Sequence, residues 1–343
     1  MRRVMGLVSI LLAFLSSLAP AQLADWKATQ PIFLEAGSRV SAVRRDAAGR
    51  YLVLQSRPAT LFVFDGNLKW LGKYVPQRGQ DTLSFAEDFT VGDDGKIYVA
   101  DRGAQAVKIL SPSGELQQAI PFPQPISVAA TAEGELFVSS AQARVLVSRV
   151  DSAGKVIGEF GALQEFAGRA DVQRTFNIGL VRRDRAGHIY YLFRHLPRPT
   201  IHKYSPLGHL VAEFELVGQS LPRPQPPPPK ELFPARPGEP PPRVTKTERA
   251  IRRAAAMTAH DVLTALAVDP QTEELWVGAG SSLLHVDREG RSLGEWQAVD
   301  PGGAPIKIDD LLIEPDRVIV VSAGRGVFLF PLPGGSTPAK AAP

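Results

Sequence analysis

One short pattern recurs along this 343-residue chain and limits the folds that it can adopt. It is a polar turn, in most copies containing Gly, that leads directly into a run rich in Val, Ile, Leu, Tyr and Phe. It occurs six times, as DAAGRYLVL (46–54), DDGKIYVA (93–100), AEGELFVSS (132–140), DRAGHIYYL (184–192), PQTEELWVG (270–278) and EPDRVIVVS (314–322). Repetition at a spacing of about forty residues indicates one structural unit per copy.

Each unit has room for four short strands bounded by Gly, Pro, Asp and Ser. In the second unit the apolar runs predict strands at Asp88–Val91, Lys96–Ala100, Ala106–Leu110 and Glu115–Ile120. The Gly residues suit tight reversals, because Gly adopts a positive φ without strain. Four antiparallel strands per unit, repeated around an axis, describe a propeller blade. We therefore predict an all-β, six-bladed β-propeller with four-stranded antiparallel blades.

The second unit, DDGKIYVADRGAQAVKILSPSGEL (93–116), resembles the NHL-repeat family of six-bladed propellers, here of an exported bacterial type. The family's usual Asn between the middle strands is absent, since Ala104 and Gln105 occupy that region. The other units match more weakly, at about 39–75, 126–161, 178–217, 264–297 and 309–332. The resemblance implies the fold and says little about chemistry.

The two ends of the chain are expected to have different roles. Arg2 and Arg3 precede an apolar run, and small residues end at Ala21, so residues 1–21 are interpreted as a signal peptide. The propeller is placed at 22–332, with a strand at 31–35 completing blade six, which would leave no open sheet edge. An independent N-terminal arm is the alternative for that strand, and 333–343 are expected to form a disordered tail.

A long insertion, residues 218–262, separates blades four and five. Its Pro-rich part (221–243) favours polyproline II structure, and a capping box at Thr245 and Glu248 predicts a helix that ends near His260. A lid or docking arm and a solvated spacer remain alternative interpretations. Variable loops on a rigid scaffold usually carry the binding function, so the insertion-bearing face is the expected functional face.

Composition excludes several classes of function. The chain has no Cys, so a disulfide or a Cys-based metal site is impossible. Removing Arg2 and Arg3 lowers the formal net charge from +4 to +2, which leaves no sign of nucleic-acid binding. The mature chain is expected to be an exported monomer, periplasmic or extracellular, with no membrane span. Its partner would be an unknown protein or a small ligand.

Candidate ligand-binding residues are polar groups that the blade pattern places at the channel mouth or in the loops of that face. They are Arg39, Glu87, Asp88, Asp101, Arg102, Asn177, Arg194, Arg198, Asp309, Asp310 and Arg325. Arginines there could hold an anionic ligand. No cofactor is expected, although the carboxylates of Glu87, Asp88, Asp309 and Asp310 could hold Ca²⁺ or another divalent cation.

Two functional hypotheses remain. The first is an exported propeller that binds or scaffolds a ligand or protein through its insertion-bearing face, with no catalytic residues assigned. The alternative is a metal-assisted lyase or hydrolase with its site at the channel mouth, as in some similar propellers. Against the alternative, the histidines do not recur at equivalent inner-strand positions of several blades.

Overall fold

Six sheets, antiparallel except for one edge pair in blade five, surround a central channel, and each sheet is one blade of a propeller. The structure, a computed structural model, describes residues 23–32, 39–74, 83–165, 170–195, 198–221 and 262–333. Within these residues five sheets have four strands and the sheet of blade five has five. The predicted all-β, six-bladed fold is confirmed.

The strands of each blade follow one another from the channel outwards. Blade one contains β3 (Val40–Arg45), β4 (Tyr51–Ser56), β5 (Ala59–Phe64) and β6 (Trp70–Tyr74). Blade two contains β7 (Ala86–Val91), β8 (Ile97–Asp101), β9 (Ala106–Leu110) and β10 (Leu116–Pro121). Blade three contains β11 (Pro125–Ala130), β12 (Leu136–Ser140), β13 (Val145–Val150) and β14 (Val156–Ala162). Blade four contains β15 (Gly179–Arg183), β16 (Ile189–Phe193), β17 (Thr200–Tyr204) and β18 (Leu210–Glu215). Blade five contains β19 (Ala265–Val268), β20 (Leu275–Ala279), β21 (Ser282–Val286) and β22 (Ser292–Val299). Blade six contains β23 (Asp310–Ile313), β24 (Arg317–Ser322) and β25 (Gly326–Pro331).

The repeated turns explain why these strands begin and end where they do. In blade two, Gly95 (φ 76°) lies between the first and second strands and Gly114 (φ 87°) between the third and fourth. Blade five lacks Gly in the first of these turns, and Glu273 takes the positive φ (59°) instead. In blade five the turn geometry is therefore kept although the Gly of the motif is lost.

The hydrophobic core is divided into six clusters, one between each pair of neighbouring blades. Both faces of the second and third strands are covered, so these strands are apolar along their length, as in β5 (ATLFVF), which is buried at every position. The outermost strands are largely exposed, as in β6 and β14. Face-to-face packing of blades thus accounts for the apolar runs of the repeat.

The N-terminal residues add strands to two blades. β2 (Gln30–Ile32) pairs antiparallel with β25 and is the outermost strand of blade six. β1 (Ala24–Lys27) pairs in parallel with β22 as a fifth strand of blade five. β1 was not predicted from the sequence, because a four-residue strand with one large apolar residue, Trp26, has too little periodicity to be recognised.

The described residues include one helix, α1 (Ala170–Phe176), between blades three and four. No helix in the described residues is long and apolar enough to cross a membrane. The predicted signal peptide, most of the 218–262 insertion including the helix predicted to end near His260, and the tail after 333 lie outside the described residues, so these predictions remain predictions.

Candidate functional site

Four charged side chains meet in the middle of the channel. Arg44 of blade one lies 2.7 Å from Asp88 of blade two and 2.5 Å from Asp310 of blade six. Arg182 of blade four lies 2.8 Å from Asp88 and 3.2 Å from Asp310. These four residues are called the charge ring below. Each arginine contacts both carboxylates, so the ring is closed and its formal charges balance.

The two remaining blades also contribute to the ring. Ser127 Oγ of blade three donates to Asp88 at 2.5 Å, and Arg182 Nε donates to the Leu266 carbonyl of blade five at 3.0 Å. The innermost strand of every blade therefore supplies a group. Asp88 and Ser127 each lie three residues before the end of their strands, β7 and β11. Arg44 and Arg182 each lie one residue before the end of β3 and β15.

Burial and charge oppose each other at Asp88. Burial favours its protonated form, but the charges of Arg182 and Arg44 and hydrogen bonds from Ser127 and Arg182 outweigh this effect, so the pKa of Asp88 lies below its ordinary value. Burial lowers the pKa of Arg182, but Asp88 and Asp310 raise it above its ordinary value. Both groups are therefore ionised at neutral pH.

The charge ring separates two cavities. The entrance cavity, about 320 Å³, lies where the innermost strands begin, on the face that carries the loops between second and third strands. The exit cavity, about 640 Å³, lies where the innermost strands end. Arg182 lines both cavities, while the ring carboxylates line the entrance cavity and Arg44 lines the exit cavity. The ring thus presents both carboxylates and Arg182 to the entrance cavity, and only its guanidinium groups to the exit cavity.

Six of the predicted site residues line the entrance cavity. They are Arg39, Glu87, Asp88, Arg194, Asp309 and Asp310.

The insertion between blades four and five meets the propeller beside one of these residues. The described residues stop at 221 and begin again at Val262, whose N–H donates to the Arg194 carbonyl at 2.9 Å. The insertion therefore rejoins the propeller at this cavity.

The rim of the entrance cavity carries a surplus of positive charge. The Glu87 carboxylate lies 2.8 Å from Arg102, and the Asp309 carboxylate lies 2.7 Å from Lys307. Arg39 is exposed and makes no ion pair within the described part of the chain. Arg57 is exposed and lies over the ring of Phe85, 4.2 Å from its centroid. The paired acids leave these two guanidinium groups without a carboxylate partner among the described residues.

Asp101, the last residue of β8, is a structural residue that holds neighbouring loops in place. Its carboxylate accepts hydrogen bonds from the backbone N–H groups of Ser84 and Phe85, both at 2.9 Å, and from that of Ala104 at 3.1 Å. Lys108 Nζ lies 3.2 Å away, and both charged groups are buried. The expectation that Asp101 faces a ligand does not match this position, since it is fully engaged inside the protein.

Four further predicted residues also lie outside the entrance cavity. Asn177 binds the backbone of Gln164 and Gln173 and so ties the loop before α1 to the helix. Arg325 pairs with Asp300 at 2.5 Å. Arg198 is exposed, 3.9 Å from Glu215 on the outermost strand of blade four, and Arg102 pairs with Glu87 beside the cavity. Their polar groups serve loop and inter-blade contacts.

The carboxylates considered for a cation are engaged elsewhere. Asp88 and Asp310 each bind two guanidinium groups, and Asp309 also accepts a hydrogen bond from the Ala323 N–H at 2.8 Å. No group of three or more His, Asp or Glu side chains in the described residues is arranged to hold a metal ion. The donor set around the channel therefore does not fit a Ca²⁺ site, which needs several free oxygen ligands.

Arg44, Arg57, Ser127 and Arg182 are not among the site residues predicted from the sequence. A signal for two of them was present, because VRRDAAG (43–49) and VRRDRAG (181–187) are nearly identical and end the innermost strands of blades one and four. In a six-bladed ring these blades face each other across the channel. Ser127 and Arg57 had no comparable signal.

No family model matches the chain, and no curated protein matches it in sequence. Among solved structures it is similar to virginiamycin B lyase from Staphylococcus aureus, with a TM-score of 0.52 and 10% identity, covering 89% of this chain and 88% of that chain. A catalytically inactive variant of that lyase with quinupristin gives 0.53 and 10%, covering 90% and 89%. A streptogramin B lyase gives 0.53 and 12%, covering 88% and 86%. At such low identity these similarities show a shared six-bladed propeller fold; the NHL-repeat resemblance stays a hypothesis.

Proposed function

We propose that this protein is a ligand-binding propeller that holds a small polar organic anion in the entrance cavity. The observation that carries the proposal is the positive charge of Arg39 and Arg57, which have no ion-pair partner among the described residues, at the rim of a cavity whose floor is the charge ring. Arginine binds carboxylate and phosphate groups with two parallel hydrogen bonds. A cavity of about 320 Å³ lies at the lower end of the range for small-molecule sites.

The floor of the cavity suggests what else the ligand carries. Asp88 and Asp310 line the floor, and each accepts hydrogen bonds from both arginines and from one further donor, Ser127 Oγ for Asp88 and the Val43 N–H for Asp310, which leaves about one of the roughly four acceptor sites of a carboxylate. A hydroxyl or amino group on the ligand could donate to them. The preferred ligand is therefore an anion with a donor group at its other end, such as a hydroxy acid or an amino acid.

A metal-assisted lyase or hydrolase is the less favoured function. The carboxylates that it would use are paired with basic side chains, and no His of the described residues lines the entrance cavity. The structural neighbours named above are lyases, but one fold hosts many functions.

We also retain export as part of the proposal, because the signal-peptide pattern motivates it. N-terminal sequencing of the protein from cell fractions tests it, and an intact Met1 in the cytoplasm would contradict it.

A ligand screen tests the proposed function. The chain from residue 22 onward is melted in the presence of hydroxy acids, amino acids, dicarboxylates, sugar phosphates, phosphate and sulfate, and each anion that raises the melting temperature is measured by calorimetry. We expect saturable binding of one ligand per chain, weakened at least about tenfold in an Arg39→Gln/Arg57→Gln variant. A Lys69→Gln/Lys155→Gln variant makes the same change in charge at exposed positions outside both cavities and should bind normally. Absence of binding across the panel, or equal binding by both variants, would show that the proposal is wrong.

A further inference from the structure

The exit cavity has the properties of a second binding site. At about 640 Å³ it is the larger of the two cavities that meet the charge ring. Its floor includes Arg44 and Arg182, and the ring carboxylates do not line it. Arg44 uses both terminal nitrogens in the ring, and its Nε has no protein acceptor among the described residues. A donor of a positively charged group therefore remains available at the floor.

The walls of the exit cavity are apolar. Half-buried side chains of four blades line it, namely Val91, Ala130, Val268 and Leu312. Each lies at or next to the end of its innermost strand, where the cavity opens. Such a wall offers hydrophobic contact and no hydrogen bonds from its side chains, which suits the apolar body of a ligand.

Two arginines stand at the rim. Arg183 and Arg185 line the exit cavity, and neither makes an ion pair within the described ranges. The lining acids Asp184 and Asp269 keep their negative charge but are hydrogen-bonded within their own turns, Asp184 to His188 at 3.0 Å and Asp269 to the backbone N–H of Gln271 at 2.7 Å, and neither pairs with Arg183 or Arg185. Arg183 and Arg185 are thus available to an anion.

Two carboxylates at the same face partly offset these arginines. Asp93 lines the cavity and is exposed. Hydrogen bonds from its own backbone and from Thr131 lower the pKa of Glu133, with a smaller contribution from Arg183, although the two form no ion pair. Both carboxylates are solvated, whereas the guanidinium groups at the floor are enclosed. Since the charge ring is balanced as a whole, the preference for an anion rests on the Nε donor of Arg44 at the floor and on Arg183 and Arg185 at the rim.

We infer that the exit cavity binds an amphiphilic organic anion, a carboxylate on an apolar chain or ring. The carboxylate would meet Arg44 at the floor or Arg183 and Arg185 at the rim, while the apolar body lies along Val91, Ala130, Val268 and Leu312. This inference is independent of the proposed function, because it concerns the other cavity and other residues.

Calorimetry with sodium decanoate tests the inference. We expect one decanoate per chain, much weaker binding of acetate, which lacks the apolar body, and much weaker binding of decanol, which lacks the charge. An Arg183→Gln/Arg185→Gln variant should bind decanoate at least about tenfold more weakly, as expected for the loss of charge-assisted hydrogen bonds. Both side chains are at least partly exposed, so the fold should be unaffected, which circular dichroism can confirm.

The control variants locate the site. Lys69→Gln/Lys155→Gln should bind decanoate normally, as should Arg39→Gln/Arg57→Gln at the entrance cavity. The inference is overturned if decanoate does not bind, if acetate or decanol binds as well as decanoate, or if the entrance variant loses decanoate while the rim variant keeps it. A failure here leaves the entrance-cavity screen unaffected, so the two proposals stand or fall separately.

Discussion

Arg182 Nη1 lies 2.8 Å from the carboxylate of Asp88, a residue 94 positions earlier in the chain and two blades away. The contact crosses the channel, and with Arg44 and Asp310 it joins the first, second, fourth and sixth blades at their innermost strands. A buried charge that loses its partner is strongly destabilising, whereas a balanced set is not. The charge ring therefore makes the stability of the propeller depend on having equal numbers of arginines and aspartates at its centre.

Replacing one carboxylate of the ring should test this dependence. Asp88→Asn leaves two buried guanidinium groups with one carboxylate, and we expect a loss of about 3–5 kcal/mol in the free energy of unfolding. Urea denaturation measures the change. The control Asp93→Asn alters an exposed carboxylate and should change stability by less than about 0.5 kcal/mol. Combining Asp88→Asn with Arg182→Gln leaves Arg44 with Asp310, so the double variant should lose less than the sum of the single changes. Additive losses would contradict the ring.

Acid should weaken the wild-type protein through the same residue. The pKa of Asp88 is lowered in the folded protein because the charges of Arg182 and Arg44 and hydrogen bonds overcome the effect of burial. Its contribution to stability is then complete above the unfolded pKa of about 4 and is lost as pH falls through the folded value. We expect the free energy of unfolding of the wild type to fall more steeply below pH 4 than that of Asp88→Asn. Parallel curves would show that Asp88 does not carry this effect.

Alkali should destabilise the protein through its buried tyrosines. Burial is the main cause of a raised pKa in five tyrosines, which are Tyr51, Tyr98, Tyr190, Tyr191 and Tyr204. That of Tyr98 is raised to about 12, with further contributions from Asp94. Since the neutral form is favoured in the folded state, this stability is complete below the unfolded pKa of about 10 and is lost as pH rises through the folded values. Phenolate absorbance should show delayed ionisation until the chain unfolds, and a titration that matches the urea-unfolded chain would contradict the prediction.

The fifth strand of blade five should contribute measurably to stability. Trp26 in β1 is 4% exposed, its ring stacks on Phe330 with centroids 3.9 Å apart, and its Nε1 donates to the Pro331 carbonyl at 2.8 Å. We expect Trp26→Ala to lower the free energy of unfolding by about 3–5 kcal/mol, measured in urea. Asp25→Ala, at the exposed neighbouring position, is the control. A change of less than about 1 kcal/mol for Trp26→Ala would mean that β1 does not hold blades five and six together.

Calcium should have little effect on this protein. Asp88 and Asp310 each bind two arginines and Asp309 binds Lys307, so a cation at the channel mouth would have to displace existing ion pairs. We expect the same melting temperature in Ca²⁺ and in a chelator, and no stoichiometric divalent metal by elemental analysis of the purified chain. A stoichiometric metal that Asp309→Ala removes would instead support a metal site there.

The sequence by itself determined the blade. Turns such as the one at Gly95 recur before apolar runs, and because both faces of a middle strand are buried against neighbouring blades, those runs are apolar throughout, as in β5. These are local properties that one repeat carries. They were sufficient to predict six blades and the positions of their turns. They also placed the strand boundaries of blade two within two residues of those in the structure.

Only the tertiary structure decided which polar residues meet. Closing the ring brings Arg44 and Arg182 onto Asp88 and Asp310, and it leaves Asp101 buried at the end of β8 although the sequence placed it among the ligand-binding candidates. It also leaves Arg39 and Arg57 at the entrance and Arg183 and Arg185 at the exit without ion partners among the described residues. The physical reason is that the partner of a charged side chain depends on the distance between the two groups across the channel. That distance depends on how the blades close into a ring, and the spacing of residues along the chain does not predict it.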